Sequence, residues 1–192
     1  MNLVLASSSP RRKEILQKIT KNFTVIVSDF EENAVKYQGD IKWYVKELSK
    51  GKAKAVSMDL KNKALVIGCD TVVSLQGNIL GKPKNEQEAF SMLKSLSGKW
   101  HEVYSGVTLI ETETDKILSE CVCTKVKFSN ISDEDIQKYI QTKEPMDKAG
   151  AYGIQGFAGV FVEKIEGCYY NVVGLPLNKL NSMMRDIGVN LL

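Results

Sequence analysis

Two serines and two arginines occur where an apolar run gives way to an amphipathic segment; they are Ser7, Ser9, Arg11 and Arg12. Residues 2–6 predict a buried strand. Ser9 then offers the N-cap and Pro10 the first residue of a helix that continues over 11–19. Backbone N–H groups at a helix start favour anions, and arginine suits bidentate contact with phosphate oxygens. Because two of the three arginines among 26 basic residues stand here, the segment favours phosphate binding over a helix start exposed to solvent.

A single carboxylate, Asp70, follows the continuous apolar run of residues 64–69. Such a run is typical of a strand buried on both faces, and we expect this strand to end at Asp70 and Thr71. Ligands of α/β sheets usually bind beyond the carboxyl ends of such strands. A carboxylate there needs a positive partner, which a metal ion or a lysine would supply; a helix cap or a turn aspartate is the alternative.

Three more carboxylates, those of Asp29, Glu31 and Glu32, follow a second predicted strand at residues 23–28. Hard divalent cations such as Mg²⁺ prefer carboxylate oxygens together with substrate phosphates. One of the three carboxylates, paired with Asp70, would provide such a site. A solvated acidic loop fits the local sequence equally well.

Three lysines have neighbours that restrict or free the backbone. Lys52 follows Gly51 inside a helix predicted over 40–60, Lys82 stands between a glycine and a proline, and Lys148 precedes a glycine-rich segment. Such neighbours fix a position more closely than a surface lysine requires. With 23 lysines in the chain, a solvated surface position is the alternative for each.

The glycine-rich segment spans residues 147–156, with three glycines in its last seven residues. Glycine allows tight turns and a close approach of the backbone to a ligand. Gln155 carries a donor and an acceptor on one side chain, so it could read the edge of a nucleobase. His101 begins a predicted strand and is expected to be structural.

The remaining pattern predicts an α/β protein with a mixed sheet. Besides the elements above we expect a hairpin around 76–78, helices over 86–96 and 132–142, long strands at 101–111 and 116–128, strands near 160–165 and 168–173, and a last helix from Pro176.

The composition is that of a globular protein, with 43% hydrophobic and 26% charged residues among 192. A net charge of +3 is weak for a nucleic-acid partner. Since we find neither a signal-peptide core nor an apolar run of ~18 residues, we expect a cytoplasmic protein without a membrane partner. The four cysteines lack zinc-site spacings and predict free, buried thiols.

Taken in order, these segments resemble the Maf family of nucleotide pyrophosphatases. The matching stretches are 5–12, Glu32, 52–53, 68–71, 82–83, 96–98 with His101, 144–156 and 174–176, so the resemblance covers nearly the whole chain. It implies one domain over residues 1–192. It also implies a mixed twisted sheet flanked by helices, with two lobes and a central cleft, similar to inosine triphosphate pyrophosphatases.

The resemblance further implies metal-dependent hydrolysis of nucleoside triphosphates to the monophosphate and pyrophosphate. Asp70 matches the proton acceptor, and Glu32 with Asp70 would hold Mg²⁺ or Mn²⁺. Arg11, Thr71 and Gln155 match positions linked to substrate choice. The implied substrate-binding set is Ser7, Ser9, Arg11, Arg12, Lys52, Thr71, Lys82, Lys148 and Gln155.

The end of the glycine-rich segment, Tyr152–Gly156, resembles the branch of the family that acts on dTTP and UTP, and modified pyrimidine nucleotides are further candidate substrates. Two alternatives stay open: the sister specificity for 7-methylguanosine triphosphate, and a non-catalytic nucleotide-binding regulator of septum formation. A homodimer is the expected assembly for so small an enzyme. Two positions depart from the family: Cys69 replaces a common alanine, and Gly51 predicts a looser placement of Lys52.

Overall fold

The computed structural model describes residues 2–191. Within that range the strands are β1 (Asn2–Ala6), β2 (Thr24–Ile26), β3 (Ala64–Leu75), β4 (Asn78–Leu80), β5 (Trp100–Glu111), β6 (Lys116–Phe128) and β7 (Val162–Glu166). The α-helices are α1 (Pro10–Leu16), α2 (Ile41–Asp59), α3 (Glu86–Leu96), α4 (Asp133–Gln141), α5 (Tyr169–Val173) and α6 (Leu177–Arg185). Short 3₁₀ turns lie at Glu32–Ala34, Glu144–Asp147, Ala149–Ala151 and Phe157–Phe161.

The strands form one mixed sheet in the order β2-β1-β3-β5-β6-β7, with β4 paired to β3. β1 pairs in parallel with both β2 and β3, whereas β4 and β7 run antiparallel to β3 and β6. The predicted mixed sheet flanked by helices is therefore confirmed. Among the described residues no helix is long and apolar enough to cross a membrane.

The chain divides into two compact units. The first unit contains the N-terminal part as far as Asp70, then Ser105–Val122, and the C-terminal part from Gly174 on. The second unit contains Thr71–Tyr104 and Cys123–Val173. Three strands, β3, β5 and β6, contribute residues to both units.

In the first unit, helix α2 packs closely on strand β3. Asp40 caps the helix by accepting a hydrogen bond from the Trp43 N–H at 3.0 Å. A Cβ at Gly68 of β3 would lie only 2.1 Å from the Ser49 carbonyl oxygen, so any other residue would push the helix away. One apolar cluster of this unit is formed by Val4, Ala6, Ala53, Val56, Ala64, Val66 and Ile110.

In the second unit, α3 and α4 enclose an aromatic cluster around Phe128. His101 is buried in this cluster, with its Nε2 atom 2.8 Å from the Tyr152 hydroxyl and its ring edge-on to Phe128. The expectation of a structural histidine agrees with this position.

Strand β3 does not end at Asp70 and Thr71 as expected, but continues to Leu75. Its second half pairs with β4 across a tight turn in which Gln76 and Gly77 both have positive φ. The apolar run of residues 64–69 marks only the half of β3 that pairs with β1. Asp70 therefore lies inside a strand and not at its end.

Residues 168–173, predicted as a strand, contain helix α5 instead. Asn171 is fully buried there, and its side-chain amide donates to the Val103 carbonyl at 2.9 Å and to the Thr124 hydroxyl at 3.0 Å. These tertiary hydrogen bonds override the strand propensity of the tyrosines and valines around it.

Two smaller expectations are also wrong. Helix α1 ends at Leu16, three residues early, because the amides of Lys18 and Ile19 form i→i−3 bonds that tighten the chain into a turn. All four cysteines are free as expected, but only Cys69 is buried and Cys123 is exposed.

Burial lowers the pKa of His101 from 6.5 to about 4. Between these values the unfolded chain binds a proton that the folded protein does not, so the free energy of unfolding falls as the pH drops through this window. A shift of this size corresponds to about 3 kcal/mol. We expect urea unfolding to show that wild type loses about that much more stability than His101→Gln between pH 7.5 and 4. Parallel pH profiles would contradict this account.

Candidate active site

The first unit contains a charged cluster centred on one ammonium group. Nζ of Lys52 lies 2.5 Å from Oδ1 of Asp70 and 2.8 Å from Oε1 of Glu32. The side chains of Lys52 and Asp70 are 14% and 9% exposed, whereas that of Glu32 is 56% exposed. Two carboxylates from distant parts of the chain thus share one cation. Of the three charged groups, Lys52 and Asp70 are largely buried and Glu32 is exposed.

Each member of the cluster stands on a different element. Asp70 lies within β3, Lys52 on α2, and Glu32 begins the 3₁₀ turn that follows Phe30. The close packing of α2 on β3 at Gly68 brings the helix, and with it Lys52, to the strand that carries Asp70.

Gly51, which the sequence predicts to loosen Lys52, has a packing role in the structure. A Cβ at this position would lie 2.3 Å from Cζ of Phe30, so the missing side chain makes room for the phenyl ring. Glycine inside a helix costs about 0.5–1 kcal/mol relative to alanine. The contact with Phe30 explains why the 19-residue helix α2 tolerates that cost.

The electrostatics of the cluster favour a charged lysine. Burial by itself lowers the pKa of Lys52, but the Asp70 charge and hydrogen bonds to Asp70 and Glu32 leave that pKa raised. The positive charge of Arg12 opposes this effect, which puts Arg12 within electrostatic range of Lys52. The pKa of Tyr44 is raised by burial and then by the charges of Asp70 and Glu32, so Tyr44 borders the same cluster.

The serine–arginine segment forms a braced helix start. Ser9 caps α1 by accepting from the Arg12 N–H at 3.4 Å, and the buried Ser7 hydroxyl accepts from the Ser9 N–H at 3.2 Å. The Arg12 guanidinium donates through Nε to the Gly174 carbonyl at 2.9 Å and through Nη1 to the Ser7 hydroxyl at 3.3 Å. Arg11 is half-buried in the first turn of the same helix.

The second unit contains the other four predicted site residues. Thr71 is half-buried in β3, and Lys82 and Gln155 are exposed in a loop and a turn. Nζ of Lys148 donates to the Glu144 carbonyl and to the Asp147 carboxylate, both at 2.7 Å. The Gly150 N–H donates to the Gly81 carbonyl at 3.0 Å, so the loops that carry Lys82 and Lys148 are adjacent.

Three groups that the sequence did not assign to the site support its geometry. The Gly174 carbonyl fixes Arg12, and Tyr44 borders the carboxylates from about two helical turns before Lys52. The Glu144 carboxylate accepts hydrogen bonds from the Tyr139 hydroxyl at 2.9 Å and from the N–H of Phe157 at 3.0 Å, the residue directly after the glycine-rich segment. The spacing of Tyr44 and Lys52, about two turns apart on one predicted helix, could have indicated that Tyr44 is near the site. The sequence contains no comparable indication for the backbone carbonyl of Gly174.

The carboxylates fit the divalent metal that the family resemblance implies. Within residues 2–191 there is no group of three or more histidines, cysteines, aspartates or glutamates that could hold a metal by itself. Oxygens of both Glu32 and Asp70 do lie within 2.8 Å of one ammonium, so a single cation can contact the two side chains. Mg²⁺ typically takes one or two carboxylates and completes its shell with phosphate oxygens and water.

The fold and the charged cluster thus define an α/β protein with a partly buried site of one lysine and two carboxylates. The chain belongs to the Maf-like protein family, whose model matches residues 2–187.

Several curated relatives match the full length of the chain. It is 60% identical to the dTTP/UTP pyrophosphatase of Clostridium novyi (strain NT), with 100% of both chains covered. It is 57% identical to the protein of that name from Clostridium botulinum (strain Kyoto / Type A2), with 99% of both covered. Among solved structures, the nucleoside-triphosphatase / dITP/XTP pyrophosphatase of Mycobacterium abscessus gives a TM-score of 0.46 at 13% identity, covering 97% of this chain and 98% of that one.

Replacing Lys52 should open the carboxylate pair to added metal. In Lys52→Met the carboxylates of Glu32 and Asp70 lose their shared ammonium, so Mg²⁺ or Mn²⁺ should bind the nucleotide-free protein more tightly than it binds wild type. Metal at ~100 times its Kd adds about 2.7 kcal/mol of stability. We therefore expect a metal-dependent rise in Tm for Lys52→Met that wild type and the exposed-site control Lys54→Met lack. Equal Tm shifts in all three proteins would contradict this arrangement.

Proposed function

We propose that this protein hydrolyses nucleoside triphosphates, dTTP and UTP above all, to the nucleoside monophosphate and pyrophosphate. The observation that carries the proposal is the pair of carboxylates, Glu32 and Asp70, around Lys52. Full-length relatives at 60% and 57% identity that are named dTTP/UTP pyrophosphatase support the reaction and the substrate.

The proposed phosphate ligands in the first unit are Ser7, Ser9, Arg11, Arg12 and Lys52. Support comes from the braced start of α1, where the Arg12 guanidinium is already oriented by Gly174 and Ser7. A side chain that is oriented before binding loses less conformational freedom when the ligand arrives. In the second unit, Lys82 and Lys148 are proposed to contribute further phosphate contacts.

Glu32 and Asp70 are proposed to bind Mg²⁺ or Mn²⁺ together with phosphate oxygens of the substrate. When bound, the ion would supply neutralisation of the negative charge that develops on the phosphates. Support comes from the distances of the two carboxylates to one ammonium, which show that both reach a common cation.

Asp70 is the proposed proton acceptor. A bond forms between the water oxygen and the α-phosphorus, the bond from that phosphorus to the bridging oxygen breaks, pyrophosphate leaves, and the water proton passes to Asp70. Because phosphoryl transfer depends mainly on positioning and electrostatics, no nucleophilic side chain is needed. The position of Asp70 inside the long strand β3 supports such a role, since a strand interior holds a side chain rigidly.

Thr71, Gln155 and Arg11 are the proposed determinants of substrate choice. The Gln155 amide offers one donor group and one acceptor, as needed to pair with the edge of a pyrimidine.

We further propose that the whole chain acts as a single domain in the cytoplasm, where free cysteines are usual. The homodimer stays a prediction.

The direct test is pyrophosphate release from a panel of nucleoside triphosphates with Mg²⁺, Mn²⁺ or EDTA. We expect metal-dependent release from dTTP and UTP and weak release from purine nucleotides. Strong release from 7-methylguanosine triphosphate would point to the sister specificity. A folded protein that binds nucleotides without releasing pyrophosphate would favour a regulator and contradict the proposal.

The same panel measured with Gln155→Ala tests the role of that side chain in specificity. The preference for dTTP over GTP should shrink about tenfold, since one lost hydrogen-bonding pair corresponds to about 1–1.5 kcal/mol. Lys84→Ala, at an exposed position of the same unit, is the control. An unchanged dTTP-to-GTP ratio would exclude Gln155 from base recognition.

A further inference from the structure

The carboxylate of Glu32 belongs to a segment with little structure of its own. We call residues 30–37 the Glu32 segment; its single regular element is the three-residue turn Glu32–Ala34. The backbone hydrogen bonds of that turn run from Ala34 to Glu31 and from Val35 to Glu32, both within the segment. Residues 31–34 are exposed. These local bonds therefore do not fix where Glu32 lies relative to Asp70.

Two aromatic contacts join the ends of this segment to helix α2. Phe30 lies over Gly51, where three ring atoms occupy the space within 2.6 Å of an ideal Cβ. The ring of Tyr37 packs edge-on against Tyr44, with 5.5 Å between centroids. Tyr44 and Gly51 are seven residues apart, so they lie on one face of α2, the spacing of two helical turns.

We propose that Phe30 and Tyr37 are positioning residues: with Gly51 and Tyr44 as their partners on α2, they hold the Glu32 segment so that its carboxylate reaches the Lys52–Asp70 pair. The catalytic consequence rests on the function proposed above. The contacts bracket Glu32 from both sides, with Phe30 two residues before it and Tyr37 five residues after it.

The location of Tyr44 agrees with this role. Tyr44 and Lys52 lie on the same helix, about two turns apart, so the residue that receives Tyr37 and the residue that binds Glu32 are both held by α2.

Gly51 allows the role to be separated from stability. Alanine favours a helix over glycine, and this gain offsets the packing lost when the Phe30 ring is displaced, so Gly51→Ala should keep a Tm close to that of wild type. The added methyl group must nevertheless displace the Phe30 ring, and the Glu32 segment with it. A variant that keeps or gains stability while losing turnover is expected from a positioning contact and not from a merely structural one.

The test compares wild type, Gly51→Ala, Phe30→Ala and the control Lys54→Ala, which changes an exposed residue of the same helix. Amide hydrogen exchange of residues 30–37, measured without nucleotide or metal, should speed up about tenfold in Gly51→Ala and Phe30→Ala and stay unchanged in the control. Turnover of dTTP should fall at least about tenfold in the same two variants, because a misplaced ligand group disturbs the reacting geometry. Phe30→Leu should retain part of the turnover.

A second comparison asks whether Phe30 acts through Glu32. In a Glu32→Gln background, adding Phe30→Ala should cause no further loss of turnover, since the group that it positions is already gone. A further loss of the same size as in wild type would overturn the proposal. Unchanged hydrogen exchange in Gly51→Ala and Phe30→Ala would overturn it too, as would faster exchange with full turnover.

The two proposals fail in different ways. A wild-type protein that hydrolyses no triphosphate would reject the proposed function, while hydrogen exchange in the same samples would still show whether the aromatic contacts hold the Glu32 segment. An active wild type with an unaffected Gly51→Ala variant would keep the function and reject the positioning role.

Discussion

Burying a charged group costs much free energy unless an opposite charge pairs with it. The largely buried ammonium of Lys52 and carboxylate of Asp70 pair in this way at 2.5 Å. The rest of the first unit is arranged around that pair. Gly68 lets α2 approach β3, Gly51 makes room for Phe30, and the segment that follows Phe30 brings a second carboxylate to the same ammonium. Removing one partner of such a pair is costly, because the other charge remains buried.

Arg12 adds a second positive charge beside Lys52. Arg12 lies close enough to lower the pKa of Lys52, although the carboxylates more than offset this effect. The hydrogen bonds from Arg12 to the Gly174 carbonyl and the Ser7 hydroxyl hold the guanidinium in this place in spite of its repulsion from Lys52.

Much of the fold could be predicted because the hydrophobic periodicity was clear. Helices α2, α3 and α4 and strands β1, β5 and β6 lie within a residue or so of their predicted positions. The errors have tertiary causes that a local pattern does not contain. The continuation of β3 depends on its antiparallel partner β4, and α5 depends on the buried hydrogen bonds of Asn171.

The sequence predicted the types of residue in the site but not which of them contact one another. The sequence indicated that Asp70 needs a positive partner and left a metal or a lysine open; in the structure, Lys52 contacts it. Among Asp29, Glu31 and Glu32, local sequence did not favour one, and only the fold brings Glu32 to Lys52. The packing role of Gly51 could not be predicted, because the ring that it makes room for, Phe30, stands 21 positions earlier.

Single-turnover hydrolysis of dTTP by Asp70→Asn tests the proposed role of Asp70 as the acceptor of the proton from the attacking water. The asparagine keeps the shape of the side chain, and Glu32 still pairs with Lys52, so the variant should lose stability but remain folded and bind nucleotide. We expect a rate lower by roughly 100-fold or more, since a positioned general base contributes about 10²–10⁴. A near-normal rate in the folded variant would exclude Asp70 as the proton acceptor.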